Sequence, residues 1–202
     1  TGCSGPSGRA RTASFNSGQH IAVFGGQNTN GALSDTWFFD IANGVWQQYS
    51  CQGGACNDQP SARYSAYATA TSDDEEIFHV FMAGGQTDGS LSDELWYAQL
   101  AAGATSLQWT LVCGGTSPCA GLPAIKEGAF YLTTPLLSTG KRSLLYHGGE
   151  DAGGAITDTT YEIMLGTGDD FGLSSNWTPI CGTGTGCSGQ ALSESTGGYH
   201  PA

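Results

Sequence analysis

The chain has 202 residues, among them 32 glycines, and 10% of its residues are aromatic. Glycine at roughly twice its ordinary frequency, without a three-residue period and alongside many aromatics, excludes a collagen-like or disordered chain and favours a turn-rich β protein. The formal net charge of −12 repels phosphate groups, so we expect neither nucleic acid nor an anionic membrane as a partner. No apolar run approaches the roughly 20 residues that a membrane-spanning helix needs.

One sequence unit recurs three times along the chain. In each copy an apolar run ends at two glycines, a polar loop with an acidic residue follows, and a second apolar run begins at an aromatic residue. The glycine pairs are Gly25-Gly26, Gly84-Gly85 and Gly148-Gly149. The aromatic residues are Trp37, Trp96 and Tyr161, and an isolated tryptophan follows later in each copy, at Trp46, Trp109 and Trp177. A period of about 50 to 70 residues with four short strands is typical of a β-propeller blade or a similar radial repeat.

The predicted elements are all strands. The first copy contains strands at residues 9–16, 20–24, 35–41 and 46–49, and Asn43-Gly44 is a strong hairpin-turn signal. The strands of the second copy are predicted at residues 63–71, 77–83, 95–100 and 108–112. Those of the third are predicted at residues 128–136, 142–146, 160–165 and 176–180. Residues 195–200 look like the opening of one more first strand.

The double glycine that ends a strand, the aromatic strand after the loop and the lone tryptophan together resemble the kelch motif. The resemblance covers nearly the whole chain in three copies, with Tyr161 replacing tryptophan in the third. It implies an all-β, kelch-type β-propeller whose copies fold as four-stranded antiparallel blades. The blades are expected at residues 3–51, 56–113 and 119–181, with the start of a further blade at 187–202. Arg11 resembles the family's arginine on the first strand, as the counterpart of Arg63, and the lone tryptophans are interpreted as wedges between blades.

Three blades do not complete a propeller. Known propellers have four to eight blades, and three would leave two apolar faces bare, although large apolar patches seldom remain uncovered. We therefore expect an arc of a larger ring, of six or seven blades. The expected partners at its flanks are other blades of a longer chain or a second copy of this one.

The cysteines recur in step with the repeat. Three close pairs stand at the same point of each copy, and we predict that they form the local disulfides Cys51–Cys56, Cys113–Cys119 and Cys181–Cys187. Cys3 occupies the place of a second cysteine and is predicted to have no partner in the chain. A metal site is the alternative, but the spacing and the lack of a neighbouring histidine disfavour it. Disulfides require an oxidising compartment, so we expect an extracellular or cell-surface protein.

Strand direction places the candidate binding residues. In an antiparallel blade the loop after the second strand and the connection after the fourth emerge on the same face, so the glycine-pair loops and the cysteine loops share one rim. Loops on a rigid scaffold commonly carry recognition. We predict that the ligand-binding residues of this rim are Asn28, Asn30, Asp58, Asp88, Glu150 and Asp151.

Signals for catalysis are weak. Residues 184–189 match GxGxxG without the strand-to-helix context that a dinucleotide site needs, and the chain has neither a GxSxG elbow nor an HExxH motif. We interpret the histidines as structural strand residues: His20, His79, His147 and His200. We therefore predict no catalytic residue, no cofactor and no bound metal. Asn176 begins the chain's sole NxS/T sequon and is a candidate for glycosylation.

Two classes of function stay open. The favoured one is a secreted or cell-surface binding or scaffold module that recognises proteins or glycans in an extracellular assembly. The alternative is part of an extracellular carbohydrate-acting enzyme, galactose-oxidase-like or of the sugar isomerase class, whose site is completed by residues outside this chain. The copper oxidases of the kelch class would add a Cys-Tyr crosslink. Here the cysteines are assigned to loop pairs, which disfavours that activity.

Overall fold

The structure, a computed structural model, describes residues 5–49, 59–72, 76–114, 124–132, 142–165 and 177–182. Within these ranges the chain is all-β and has no helix. Consequently the ranges contain nothing with the length and apolar character of a membrane-crossing helix. The strands in chain order are β1 (Ala13–Asn16), β2 (His20–Phe24), β3 (Gln27–Asn28), β4 (Gly31–Ala32), β5 (Thr36–Asp40), β6 (Val45–Gln48), β7 (Tyr67–Ser72), β8 (Ile77–Ala83), β9 (Leu95–Ala101), β10 (Gln108–Cys113), β11 (Ile125–Lys126), β12 (Ala129–Leu132), β13 (Ser143–His147), β14 (Glu150–Asp151), β15 (Thr160–Met164) and β16 (Thr178–Cys181).

The longer strands form three four-stranded antiparallel sheets. Sheet 1 has the order β1-β2-β5-β6, sheet 2 the order β7-β8-β9-β10 and sheet 3 the order β12-β13-β15-β16. Within each sheet every long strand therefore pairs with the next one along the chain, and none of the sheets closes on itself. The remaining strands form two small ribbons, β3 with β4 and β11 with β14.

The predicted strands lie in these sheets, but the first strands of copies one and two begin later than predicted. The predictions of 9–16 and 63–71 are wrong at their start, since the strands begin at Ala13 and Tyr67. In both cases a residue with positive φ, Arg11 or Ser65, precedes the strand. An extended strand needs negative φ, so the pairing with the second strand of the sheet starts only after that residue.

Sheet 2 lies between the other two sheets and is buried on both faces. Val80 and Met82 belong to the core shared with sheet 1, whereas Phe81 and Ala83 belong to the core shared with sheet 3. Successive side chains of a strand point to opposite faces. A strand that is covered on both faces must therefore be apolar throughout, which explains the unbroken apolar end of β8.

The lone tryptophans occupy different environments. Trp109 is 3% exposed and lies in the core between sheets 1 and 2, edge-on to Phe24 at 6.2 Å between ring centroids. Trp177 is equally buried in the core between sheets 2 and 3. Trp46 lies on the outer face of sheet 1, partly exposed and 5.1 Å from the ring of Phe39.

The glycine pairs connect one sheet to the next. The N–H of Gly26 donates to the carbonyl of Arg63 at 2.9 Å, and that of Gly85 to the carbonyl of Ile125 at 3.3 Å. Gly25 has a φ of +60°, and a Cβ there would stand 2.5 Å from the Arg63 carbonyl oxygen. Only glycine permits so close an approach. As a result the first strands of the sheets lie side by side, β1 next to β7 and β7 next to β12.

Candidate functional site

A three-residue segment stands at an equivalent position before the first strand of each sheet. The three segments are residues 9–11, 63–65 and 125–127. Their middle residues pair with the residue that follows each glycine pair: Ala10 with Gln27, Tyr64 with Gln86, and Lys126 with Glu150. The residues after them all have positive φ, at 59° for Arg11, 54° for Ser65 and 58° for Glu127. Every other positive-φ residue in the described ranges is a glycine.

This backbone conformation is costly for residues with a side chain. The left-handed region costs an L-residue roughly 1–2 kcal/mol. Because it recurs at the same point of three repeats, the turn from the ribbon into the first strand imposes it. Glycine would remove the cost, yet Arg11, Ser65 and Glu127 stand there instead. Strained side-chain-bearing positions of this kind cluster at functional sites.

The three positions converge on one cleft. It has a volume of about 430 Å³ and lies between β1, β7 and the segment that precedes β12. Its size falls in the range of small-molecule sites. The lining residues are mostly small or hydroxyl-bearing: Arg11, Thr12, Ser14, Ser65, Ala66, Tyr67, Ala68, Glu127 and Gly128.

The polar groups of the cleft are linked to one another. The hydroxyl of Ser65 donates to Oε1 of Glu127 at 3.0 Å, and Nε of Arg11 lies 3.7 Å from the same oxygen. The side chains of Arg11 and Glu127 are 53% and 45% exposed. The guanidinium of Arg11 also lies over the ring of Tyr64, 5.8 Å from its centroid. An ion pair this exposed is weak, so a ligand can separate the two charges at little cost.

Tyr67 lines the cleft, but its hydroxyl is buried on the side of the core between sheets 2 and 3. Burial, and after it the negative charge of Glu127, raises the pKa of Tyr67 far above its ordinary value. The hydroxyl therefore stays protonated and uncharged inside the fold. The ring of Tyr67 packs edge-on against Tyr146, at 5.5 Å between centroids, which fixes its orientation.

Two ion pairs hold the first two of these segments in place. Nη1 of Arg9 donates to Oδ1 of Asp35 at 2.5 Å, and the fully buried Arg63 donates to Glu94 in the same way. Burial by itself raises the pKa of Glu94, but the hydrogen bonds from Arg63 and Trp96 outweigh it and hold the pKa below its ordinary value.

The interpretation of Arg11 as the counterpart of Arg63 is therefore wrong. Arg9 and Arg63 occupy equivalent positions, and each also donates to the carbonyl of the first glycine of its pair. Arg11 lies two residues further along and belongs to the cleft. In the third copy Ile125 stands at the place of the two buried arginines.

The predicted rim residues mostly stabilise their own loops. Oδ1 of Asn28 accepts from the N–H of Asn30 at 2.8 Å. Oδ1 of Asp88 accepts from the N–H of Ala32 at 3.0 Å and so joins two loops. Oδ1 of Asp151 accepts from two N–H groups of its own turn.

Glu150 and Asp58 are the other two predicted rim residues. Glu150 forms an ion pair with Lys126 at 3.2 Å. Asp58 lies outside the described residues. The predicted set is thus spread along three loops, and the cleft between the inner strands was missed.

The candidate metal ligands do not come together. His79 faces the hydroxyl of Tyr97 at 2.7 Å, and His147 faces that of Thr160 at 2.8 Å. His20 is buried in sheet 1, and His200 lies outside the described residues. In the part of the chain that the structure describes, no three His, Cys, Asp or Glu residues are grouped as metal ligands.

The predicted disulfides extend beyond the described ranges. Cys113 is buried and Cys181 is disulfide-bonded. Each predicted pair has at least one member outside the described residues, so the pairings stay predictions. The same holds for Cys3 and for the sequon residue Asn176.

Comparison with known proteins gives two partial similarities. No protein-family model matches the chain. The chain is 30% identical over 106 residues to the multiple epidermal growth factor-like domains protein 8 of Homo sapiens. It is 29% identical over the same length to the protein of that name from Rattus norvegicus. Each match covers 52% of this chain and 3% of the relative, so the chain spans only a small part of these proteins.

Proposed function

We propose that the chain is part of a kelch-type propeller that acts as a binding or scaffold module in an extracellular assembly and recognises proteins or glycans. Its three sheets repeat the strand order that the kelch resemblance implies for a blade. Their first strands lie side by side, as the inner strands of neighbouring blades would.

The observation that carries the binding function is the cleft. Arg11, Ser65 and Glu127 keep functional side chains in a backbone conformation that glycine adopts more easily. They stand at equivalent positions of three repeats and line a single cavity. A purely structural turn would gain stability from glycine at each position, so the retained side chains point to a ligand.

Two observations support an extracellular location. Epidermal growth factor-like domains, which the names of both relatives mention, are disulfide-dense modules of secreted proteins. Cys181 is itself disulfide-bonded. Structural disulfides persist in oxidising compartments and are rare in the cytosol.

The outer face of sheet 1 supports the presence of further blades. Ile21, Phe39 and Trp46 lie side by side on this face, and Ile21 is 42% exposed. The matching row of sheet 2 is fully covered by sheet 1 and consists of Val80, Ala98 and Trp109. We therefore propose that another blade, of the same polypeptide or of a second copy, covers the outer face in the same way.

A binding comparison with the natural polypeptide tests the proposal. The protein is immobilised and probed with an array of glycans and with purified extracellular proteins, beside a variant that carries Arg11→Ala and Glu127→Ala. Binding that the double variant loses supports the proposal. The matched control is Glu76→Gln, an exposed residue between β7 and β8 at the end of β7 opposite the cleft, which should bind like the parent. Binding that the double variant retains in full, or no binding at all, would refute it.

A further inference from the structure

We infer that the cleft between the inner strands binds an uncharged saccharide unit. This inference rests on the proposed binding function and assigns a ligand class to its site.

Charge at the cleft excludes strongly charged ligands. Arg11 and Glu127 lie within 3.7 Å of each other and cancel. An anionic ligand that pairs with Arg11 would face the carboxylate of Glu127 and the net charge of −12 of the whole chain. A cationic ligand that pairs with Glu127 would face Arg11. The cleft therefore favours a polar ligand without net charge.

The hydrogen-bonding groups match a ligand that both donates and accepts at neighbouring atoms. The guanidinium of Arg11 can only donate, and the carboxylate of Glu127 can only accept. The hydroxyls of Ser65 and Ser14 can do either. A sugar hydroxyl placed between Arg11 and Glu127 accepts from the first and donates to the second. Its neighbours on the ring can do the same with the serine hydroxyls.

The shape of the cleft disfavours a peptide. Peptide ligands usually gain their affinity from large side chains that fill buried apolar pockets. Here the apolar positions of the lining carry only small side chains, at Ala66, Ala68 and Gly128, which cannot form such a pocket. A volume of about 430 Å³ is ample for a sugar ring, whose polar rim contacts the charged groups.

The site is organised before a ligand arrives. The N–H of Ser65 donates to the carbonyl of Arg11 at 2.8 Å, and its hydroxyl donates to Glu127. The three positions are thus connected through Ser65, and their φ values fix where each side chain begins. Little conformational freedom is lost on binding, which favours a ligand that offers only polar contacts.

The test uses the natural polypeptide and the methyl glycosides of glucose, galactose, mannose and N-acetylglucosamine. Binding is measured by saturation-transfer NMR and by calorimetry. We expect saturable binding of at least one glycoside. Glu127→Gln should weaken it by about tenfold or more, since a hydrogen bond to a charged group is lost. The control Glu76→Gln should leave it unchanged.

Ser65→Gly separates loss of the ligand contact from loss of the fold. This variant removes the hydroxyl with its hydrogen bond to Glu127 and relieves the strained backbone, so its melting temperature should stay close to that of the parent while glycoside binding falls. Binding that survives both Glu127→Gln and Ser65→Gly would overturn the inference. The absence of binding by all four glycosides would do so as well.

The proposed function can survive that failure. If a peptide or protein ligand binds and the cleft variants abolish its binding, the module function stands and the saccharide assignment is wrong. If neither glycosides nor proteins bind the parent, both proposals are wrong.

Discussion

Replacing Ile21 by lysine tests whether another blade covers the outer face of sheet 1. Ile21 is 42% exposed on that face, and its counterpart in sheet 2, Val80, is completely buried against sheet 1. On a bare surface a lysine at residue 21 would extend into solvent, and the change would cost little. Under a packed blade it would leave an unpaired ammonium in an apolar interface, which costs about 3 kcal/mol or more.

We expect the larger cost in the natural polypeptide. The assay is urea unfolding followed by circular dichroism, with midpoints compared at equal slopes. Ile77→Lys is the matched control. Ile77 is 43% exposed and is the first residue of β8, whose sheet is already covered on both faces. Its cost should stay below about 1 kcal/mol. If Ile21→Lys proved as mild as Ile77→Lys, the outer face would be open to solvent and the larger ring would be refuted.

Three other predictions concern stability and covalent structure. Ser65→Gly should leave the free energy of unfolding, measured with denaturant, within about 1 kcal/mol of the parent, because relief of strain at positive φ offsets the lost hydrogen bond to Glu127; a clearly larger loss of stability would contradict the strain argument. The lowered pKa of Glu94 contributes stability that is complete above the unfolded value of 4.5 and is lost as the pH falls through the lower folded value. The Glu94→Gln variant should therefore have a lower melting temperature than the parent at pH 7, and its melting temperature should fall less as the pH is lowered. If the pH dependence of the melting temperature were the same in both proteins, this would count against the ion pair with Arg63. Peptide mapping without reduction should find three local disulfides: Cys51–Cys56, Cys113–Cys119 and Cys181–Cys187. It should find no bond from Cys3 to any of these six cysteines, and any other pairing would refute the assignment.

The four-strand pattern of each sheet could be read from the sequence because the second and third strands are apolar and are bounded by glycine pairs and turns. The start of the first strand could not. The positive φ of Arg11 follows from how the chain leaves the ribbon, and no local preference of arginine indicates it. Matching Arg11 to the family's first-strand arginine therefore extended the predicted strand too far toward the N-terminus.

One signal for the correct alignment was present in the sequence. The segments Pro6-Ser7-Gly8-Arg9 and Pro60-Ser61-Ala62-Arg63 share a Pro-Ser-x-Arg pattern. In the structure each arginine donates to the carbonyl and the hydroxyl of the serine two residues earlier. This pattern identifies Arg9 as the counterpart of Arg63.

The cleft had no comparable signal. Arg11, Ser65 and Glu127 share a conformation and a location but no side-chain chemistry, so they do not appear as a repeat in the sequence. The rim residues were chosen for their polarity, yet a polar side chain in a tight loop often bonds to its own backbone, as Asn28 and Asp151 do. Only the three-dimensional structure distinguishes the residues that line the cleft from the residues that stabilise the rim loops.

The glycine pairs have a consequence for how the protein folds. Gly26 and Gly85 each donate to a carbonyl of the following repeat, so a repeat cannot complete its own hydrogen bonds without its successor. Folding is then coupled between nearest neighbours, as in linear repeat arrays, where the stability of the interfaces adds to that of each unit. We expect an insertion or deletion to be tolerated when it spans a whole repeat. A shorter one would displace a glycine pair from the next repeat, and the glycine N–H would lose the carbonyl that accepts from it.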